Sequence, residues 1–232
     1  MIKWFANRKV GTRIIATVAP ALLGVVALAG LAILQERNNA AEMETVAVNA
    51  AFTPKVRAVM RAIQLERGQS AAFVNSYGDS FKEELPAQRK AVDAEAAALK
   101  QAIGAAGFGA HDQEILDASG AAVEALDGLA ALRAKVDNFE LAATEIIPAY
   151  TAVIDRLIAI LAGMLHESDD DRSSKQIGAY LAVLKAIDAA GLERAAGAIG
   201  FGSNAFSQNS IADMVSLGAQ QRAHLATFTH LA

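Results

Sequence analysis

Along the chain, apolar residues first run together and then recur at helical spacing. Between Ile14 and Leu34 ("IIATVAPALLGVVALAGLAIL") there is no charged residue. Roughly twenty apolar residues at about 1.5 Å rise each cover a bilayer core of about 30 Å, so this run predicts a transmembrane helix. Beyond it the apolar positions step by three and four, not by two, as on one face of a helix. A first helix is expected from Glu36 to Ser76, stopped by the turn formers of "YGDS" (Tyr77 to Ser80). A second runs from Ser80 to Ile103, with Ser80 and Glu83 spaced as a capping box and Pro86 as a kink or a shifted start. After the glycine-rich Gly104–Asp112 loop, Asp112 can cap a third helix to Val136, and Asn138 opens a fourth to His166, kinked at Pro148. The acidic loop Glu167–Ser174 leads to a fifth helix ending at Ile199. A sixth follows "GFGSNAFSQNS" (Gly200 to Ser210) and is still helical in pattern at Ala232, as if cut inside a helix. The prediction is all-α: an N-terminal transmembrane helix followed by an antiparallel up-down helical bundle. In that organisation residues 1–13 are a basic cytoplasmic terminus, 14–34 the span and 35–232 an extracytoplasmic bundle.

Charge orients this picture. Lys3, Arg8, Lys9 and Arg13 precede the apolar run, while Glu36, Glu42 and Glu44 follow it. The positive-inside bias then puts the N-terminus in the cytoplasm of a bacterial inner-membrane protein and its bulk in the periplasm. A cleaved signal peptide, with "ALAG" (Ala27 to Gly30) as a small-residue site, is the competing reading and exports the remainder as well. Of 21 basic residues those four come first, so from Ile14 onward 17 bases face 25 acids, a balance of −8. So acidic a surface argues against a nucleic-acid partner. The 53% hydrophobic content and the 4 prolines suit a sizeable helical core, and the absence of cysteine removes disulfides and thiolate metal sites.

Little of this composition suggests catalysis. His111, His166, His224 and His230 are scattered and lack the i, i+4 partner that zinc sites use, and Asp169, Asp170 and Asp171 lack the spacing and turn glycine of a calcium loop. The "GFG" triplets at Gly107 and Gly200 follow no strand and are not phosphate loops. No catalytic residue, metal or cofactor is expected.

One polar feature stands out. Val56, Met60, Ile63, Arg67, Ser70 and Val74 form the seam of the first helix, with an arginine at its centre. On the fifth helix the same steps give Tyr180, Leu184, Ile187, Gly191, Arg194 and Ala198, a second arginine on a seam. Small residues follow each: Gly68, Ser70 and Ala71 in one case, Ala195, Ala196 and Gly197 in the other. Burying an unpaired guanidinium costs several kcal/mol, so an anion must meet these charges. Asp188, Glu193 or Glu66 could supply it as a structural ion pair, or a small oxoanion could sit between the two helices and accept the paired donors of both.

The stretches "IQLERGQSAAFVNSYGDSFKEELPAQRKAVDAE" (Ile63 to Glu95), "LRAKV", "AYTAVIDRLI" and "YLAVLKAIDAAGLERAAGAIGF" (Tyr180 to Phe201) resemble, in that order, the nitrate- and nitrite-sensing (NIT) domain. The resemblance rests mainly on two motifs, "LQxERGxS" and "AGxERA", and covers nearly everything after the apolar run. It implies an all-helical bacterial input domain, often found outside the membrane in chemoreceptors and sensor kinases, that binds nitrate or nitrite between helices. Arginines line the family's anion site, and Arg67 and Arg194 hold the matching positions. Glu66 beside Arg67 departs from the adjacent arginine pair the family can use, which leaves Arg57, Arg61, Arg89 and Arg222 as further candidates. The expectation is an extracytoplasmic input domain of a bacterial chemoreceptor or sensor, homodimeric and membrane-anchored, that passes anion binding on to the membrane. The alternatives are a membrane-tethered structural bundle and a sensor of a small carboxylate.

Overall fold

The computed structural model describes residues 10–106, 113–166, 171–202 and 206–232. Among them are seven helices and no strand: α1 (Val10–Asn75), α2 (Glu84–Ala105), α3 (Gln113–Asp127), α4 (Leu129–Asp137), α5 (Ala143–His166), α6 (Asp171–Gly202) and α7 (Gln208–Leu231). The all-α expectation holds. The chain divides into two compact units, Met1–Ala47 and Val48–Ala232. In the first, Val18–Glu36 has a mean hydropathy of 2.2 and none of it is buried; it is long and apolar enough to cross a membrane. Ala143–Met164 of α5 passes the same test, but half of it is buried, as suits the central helix of a bundle.

The second unit is an antiparallel helical bundle built on that central helix. α3 packs on α5, α5 on α6 and α6 on α7. Ile146, Ile154, Leu157 and Leu161 of α5 are fully buried and meet Phe52, Val56, Met60 and Ile63 of α1, with Val92 and Leu99 of α2, Ile115 and Leu126 of α3 and Leu184 of α6 in the same core. Burial of each large aliphatic side chain contributes about 1.5–3 kcal/mol, which is how an alanine-rich chain holds so many helices together. Gly163 lets α5 approach α3 closely: a Cβ there would stand 3.4 Å from the Ile115 backbone.

Several helix boundaries differ from the pattern, each for a local reason. The predicted capping box does not form: α2 begins at Glu84, and the Ser80 N–H donates to the Ser76 Oγ (2.8 Å) within the preceding turn. Pro86 therefore falls in the first turn, where its missing N–H costs nothing. The single helix predicted to Val136 is divided at Gly128 into α3 and α4, a glycine costing about 1 kcal/mol in a helix interior. Asn138 does not open α5; that helix begins at Ala143, and the Glu145 Oε2 accepts the Ala142 N–H at 2.8 Å. α6 extends to Gly202, and Ser207 caps α7 by accepting the Ser210 N–H at 3.0 Å. The Asp112 cap, His111, the Gly107–Gly109 triplet, Asp169 and Asp170 lie outside the described residues.

Two helix ends are locked together by an arrangement the pattern did not reveal. At the end of α1 the Gly78 N–H bonds the Phe73 carbonyl (2.8 Å) and the Tyr77 N–H bonds that of Val74 (3.1 Å), with Tyr77 left-handed at φ 53°. At the end of α4 the Glu140 and Phe139 N–H groups bond Lys135 and Val136 in the same way, with Phe139 at φ 55°. Both are Schellman caps, and both place an aromatic residue where glycine is usual. The Phe73 and Phe139 rings stack with centroids 5.4 Å apart, which offsets the cost of a left-handed phenylalanine. Gly78, at φ 92°, lies beneath the stack, and a Cβ there would be 3.3 Å from the Phe139 ring. Gly78→Ala should thus lower stability by about 1–2 kcal/mol through strain and displacement of Phe139. Urea melts would show it, and an unchanged midpoint would refute the interlocked caps.

Candidate functional site

The seam predicted on α1 is the buried one: Val56, Met60, Ile63, Arg67 and Ser70 are all within 2% of complete burial. Glu66 is buried as well, at 0% exposure, so two opposite charges stand next to each other in the core. Successive residues on a helix point about 100° apart, and each charge accordingly finds its own set of partners.

Arg67 reaches α5 and α6. Its Nη1 donates to the Thr151 Oγ1 at 2.8 Å and its Nη2 to the Asp188 Oδ1 at 3.0 Å. The Gln64 Nε2 donates to the same Asp188 oxygen, also at 3.0 Å. The Thr151 hydroxyl donates to the Ile147 carbonyl at 2.8 Å, so its oxygen is left as an acceptor for Arg67. Burial, then the neighbouring Asp188 charge, pushes the Asp155 carboxyl above its ordinary value. The anion that meets Arg67 is therefore Asp188, the ion-pair partner.

Glu66 turns the other way. Its two oxygens accept the fork of Arg133, Nε at 2.7 Å and Nη2 at 2.8 Å, and Oε1 also accepts the Tyr150 hydroxyl at 2.7 Å. Arg133 continues to Asp93 (2.7 Å), and Arg89, 3.9 Å from Glu66, is held in a fork by Asp137. Burial alone would push the Arg133 guanidinium down, but Glu66 and Asp93 hold it above its ordinary value. Burial and then the Glu66 charge push the Tyr150 phenol up, while the Ser70 hydroxyl donates to it at 3.3 Å. Glu66 thus points away from Arg67's partners, into a network of α2, α4 and α5. Sequence reading missed Arg133, Tyr150, Thr151 and the role of Arg89; Arg133 lies in "LRAKV" and Tyr150 and Thr151 in "AYTAVIDRLI", stretches that carry the family resemblance but that no periodicity singled out.

Arg194 is placed differently from the prediction. It is exposed, as is Ile187 at 47%, while Leu184, Asp188 and Ala195 are buried. The face of α6 turned to α1 runs through Leu184, Asp188, Gly191 and Ala195; it shares Leu184 and Gly191 with the predicted seam and has Asp188 and Ala195 in place of Ile187 and Arg194, a rotation of roughly 50°. Arg194 stands at its rim. There it lines a cleft of about 450 Å³ between α1 and α6, with Gln64, Gly68, Gln69 and Gly191. Gly191 joins the two arginines: a Cβ on it would lie 3.2 Å from the Arg67 Nη2, so the buried guanidinium comes up directly behind this bare backbone. The Gln69 Oε1 is buried with no hydrogen-bond partner. Of the further candidates, Arg89 is taken by Asp137, Arg57 and Arg61 line a neighbouring groove, and Arg222 is on exposed α7. His224 and His230 also lie on α7, and no three acidic or histidine side chains are grouped for a metal among the described residues.

The arrangement is an all-helical bundle with a largely apolar cleft between two arginine-bearing helices, and sequence comparison gives it a family. Residues 58–232 match the nitrate and nitrite sensing family, and the chain belongs to it. It is 29% identical over 170 residues to the nitrate regulatory protein of Klebsiella oxytoca, covering 72% of this chain and 42% of that protein. Its fold matches the NasR transcription antiterminator with a TM-score of 0.80 at 25% identity, over 89% of this chain and 56% of that one. The chain thus spans about half the length of these relatives.

These relatives overturn the expected chemoreceptor input domain with its bulk in the periplasm. They are named for regulation and for transcription antitermination, and an antiterminator works where transcripts are made, inside the cell. The apolar run itself is long and apolar enough to cross a membrane, but length and hydropathy alone do not decide whether a helix enters one. The exclusion of nucleic acid, drawn from the acidic surface, also conflicts with antitermination, because the net charge of one region says nothing about the rest of a longer regulator.

The Glu66 network carries a pH signature. Tyr150 keeps its proton in the folded chain at pH values where an unfolded tyrosine, near 10, loses it. Its contribution is then complete below about pH 10 and is lost as pH rises through the elevated folded value. Tyr150→Phe should cost about 1–3 kcal/mol at neutral pH, the worth of a hydrogen bond to a charged group, and should flatten the alkaline loss. Urea midpoints compared from pH 7 to about 11 test this; parallel curves for the two chains would refute it.

Proposed function

We propose that residues 58–232 are the nitrate- or nitrite-binding input domain of a regulator of transcription, with the anion held in the α1–α6 cleft by Arg194 and Arg67. The observation that carries the site is Gly191: it lines the cleft together with Arg194, and a Cβ on it would stand 3.2 Å from the Arg67 Nη2, so the buried guanidinium lies directly beneath the cleft wall at this glycine. Arg67 has five donors, and Thr151 and Asp188 occupy two. A second hydrogen on Nη2 can serve an oxygen of a bound anion without breaking the Asp188 pair. The Gln69 carboxamide can turn its amino group to the same ligand, which accounts for its unpartnered position. Family membership favours nitrate or nitrite as the ligand, and the roles for which the two relatives are named favour a transcriptional output. The role is one of binding, not catalysis.

The structural-bundle reading has support in the Arg67–Asp188 and Glu66–Arg133 pairs. It leaves Arg194 unexplained, since among the described residues no carboxylate pairs with it, and neighbouring Glu193 is engaged by Gln221 of α7. As for the expected homodimer, exposed Ile211, Val215 and Leu225 on α7 offer a face for it.

The two arginines should separate in a stability assay. Nitrate at a hundredfold excess over its dissociation constant should stabilise the chain by about 2.7 kcal/mol. Arg194→Ala, at an exposed position, should change stability by no more than about 0.5 kcal/mol yet weaken nitrate binding at least about tenfold. Arg67→Ala should cost about 3–5 kcal/mol with or without nitrate, because it strands Asp188. Undiminished nitrate stabilisation of Arg194→Ala would overturn the site, and no nitrate effect on the natural chain would overturn the function.

A further inference from the structure

Beside the anion cleft, on the other side of Gly191, lies a groove of about 590 Å³ between α1 and α6. Three guanidiniums line it: Arg57 and Arg61 from α1 and Arg194 from α6. All three are exposed, and among the described residues none is within ion-pair distance of a carboxylate. This is unusual in a chain with more acids than bases, whose Arg67, Arg89 and Arg133 are all paired. Arg57 and Arg61 are four apart on one helix, an arrangement that costs helix stability by like-charge repulsion unless an anion relieves it. Between the arginines the groove is apolar, with Met60, Leu184 and Ile187 among its walls, and Ile187 is 47% exposed there. No acidic side chain lines it.

Size and lining both point away from a four-atom ion. Grooves of about 300–1,000 Å³ take ligands of drug size, and apolar walls reward a carbon frame. We propose that this groove is a second binding site, for an organic anion that carries two or more carboxylate or phosphate groups on an apolar frame. The frame covers Leu65 and Ile187, and the anionic groups each meet a guanidinium, whose planar fork suits both chemistries. Arg194 lines the cleft and the groove alike, so occupancy of one site weakens the other. The regulator would then read nitrate against the level of an organic polyanion.

Titration calorimetry on the full chain tests this with defined probes. Trimesate, three carboxylates on a benzene ring, should bind at least about tenfold more tightly than benzoate, which has the frame but one charge, and than pyrophosphate, which has charge but no frame. Adenosine diphosphate as a parallel probe separates the two chemistries, the tighter of it and trimesate naming phosphate or carboxylate. The Arg57→Gln, Arg61→Gln double variant should weaken trimesate by about tenfold per arginine and leave nitrate affinity unchanged, and saturating nitrate should weaken trimesate binding. Absence of binding by both trimesate and adenosine diphosphate, no advantage over pyrophosphate, or an affinity indifferent to the double substitution would overturn the proposal. Trimesate bound normally by a chain that ignores nitrate would instead uphold the groove and sink the nitrate reading.

Discussion

Glu66 and Arg67, adjacent and both buried in α1, are the constraint around which the polar interior of the bundle is arranged. Each charge would cost several kcal/mol if left alone, and the two cannot satisfy each other, because a helix aims them about 100° apart. The remaining helices must therefore bring partners to both sides. α4 supplies Arg133 and α5 supplies Tyr150 to Glu66, while α5 supplies Thr151 and α6 supplies Asp188 to Arg67. α5 serves both charges from consecutive residues, which fixes its rotation and height against α1. Apolar packing alone would tolerate a shift by a turn; these bonds would not survive one.

That arrangement also bears on how a ligand could act. A bound anion shifts an equilibrium only by the difference between its affinities for the two states. Because Asp188 already neutralises Arg67, an anion behind Gly191 adds an acceptor to a completed pair and does not rescue a stranded charge. The α6 side chain most free to respond is then Arg194, exposed and unpaired among the described residues. Drawing it inward pulls on α6, whose next residue back, Glu193, is tied to Gln221 of α7. Movement of the rim arginine thus has a physical route to the α6–α7 pair.

Much of this was legible in the sequence where the cause is local. The apolar steps of α1 gave its buried face correctly, whereas the close approach expected from the small residues after each arginine is found at Gly191 and not at Gly68, where a Cβ would meet nothing. What failed depended on distant partners. The register of α6 was misjudged because Ile187 and Asp188 are adjacent: hydropathy put the isoleucine on the seam, whereas Arg67 requires the aspartate there and leaves Ile187 outside. Arg133 and Tyr150 sit 67 and 84 residues from Glu66, beyond the reach of any periodicity. The aromatic left-handed caps were unreadable for the same reason, since Phe139 is acceptable at its angle only because Phe73 stacks on it.

Burial divides the arginines by kind. Arg67, Arg89 and Arg133 are sequestered and spoken for, and their carboxylate partners come from other helices. Arg57, Arg61 and Arg194 face one side of the α1–α6 junction with no such partners among the described residues. In a chain of net charge −4, repulsion by the bulk of the surface would keep small anions away, and a local concentration of unpaired guanidiniums reverses the potential at one place. Salt screens such exposed charges over about 8–10 Å, so the reversal is confined to the junction itself. Arg67, through Asp188, therefore helps fix where α1 and α6 meet, and the exposed set gives that junction the sign of charge that an anion could approach.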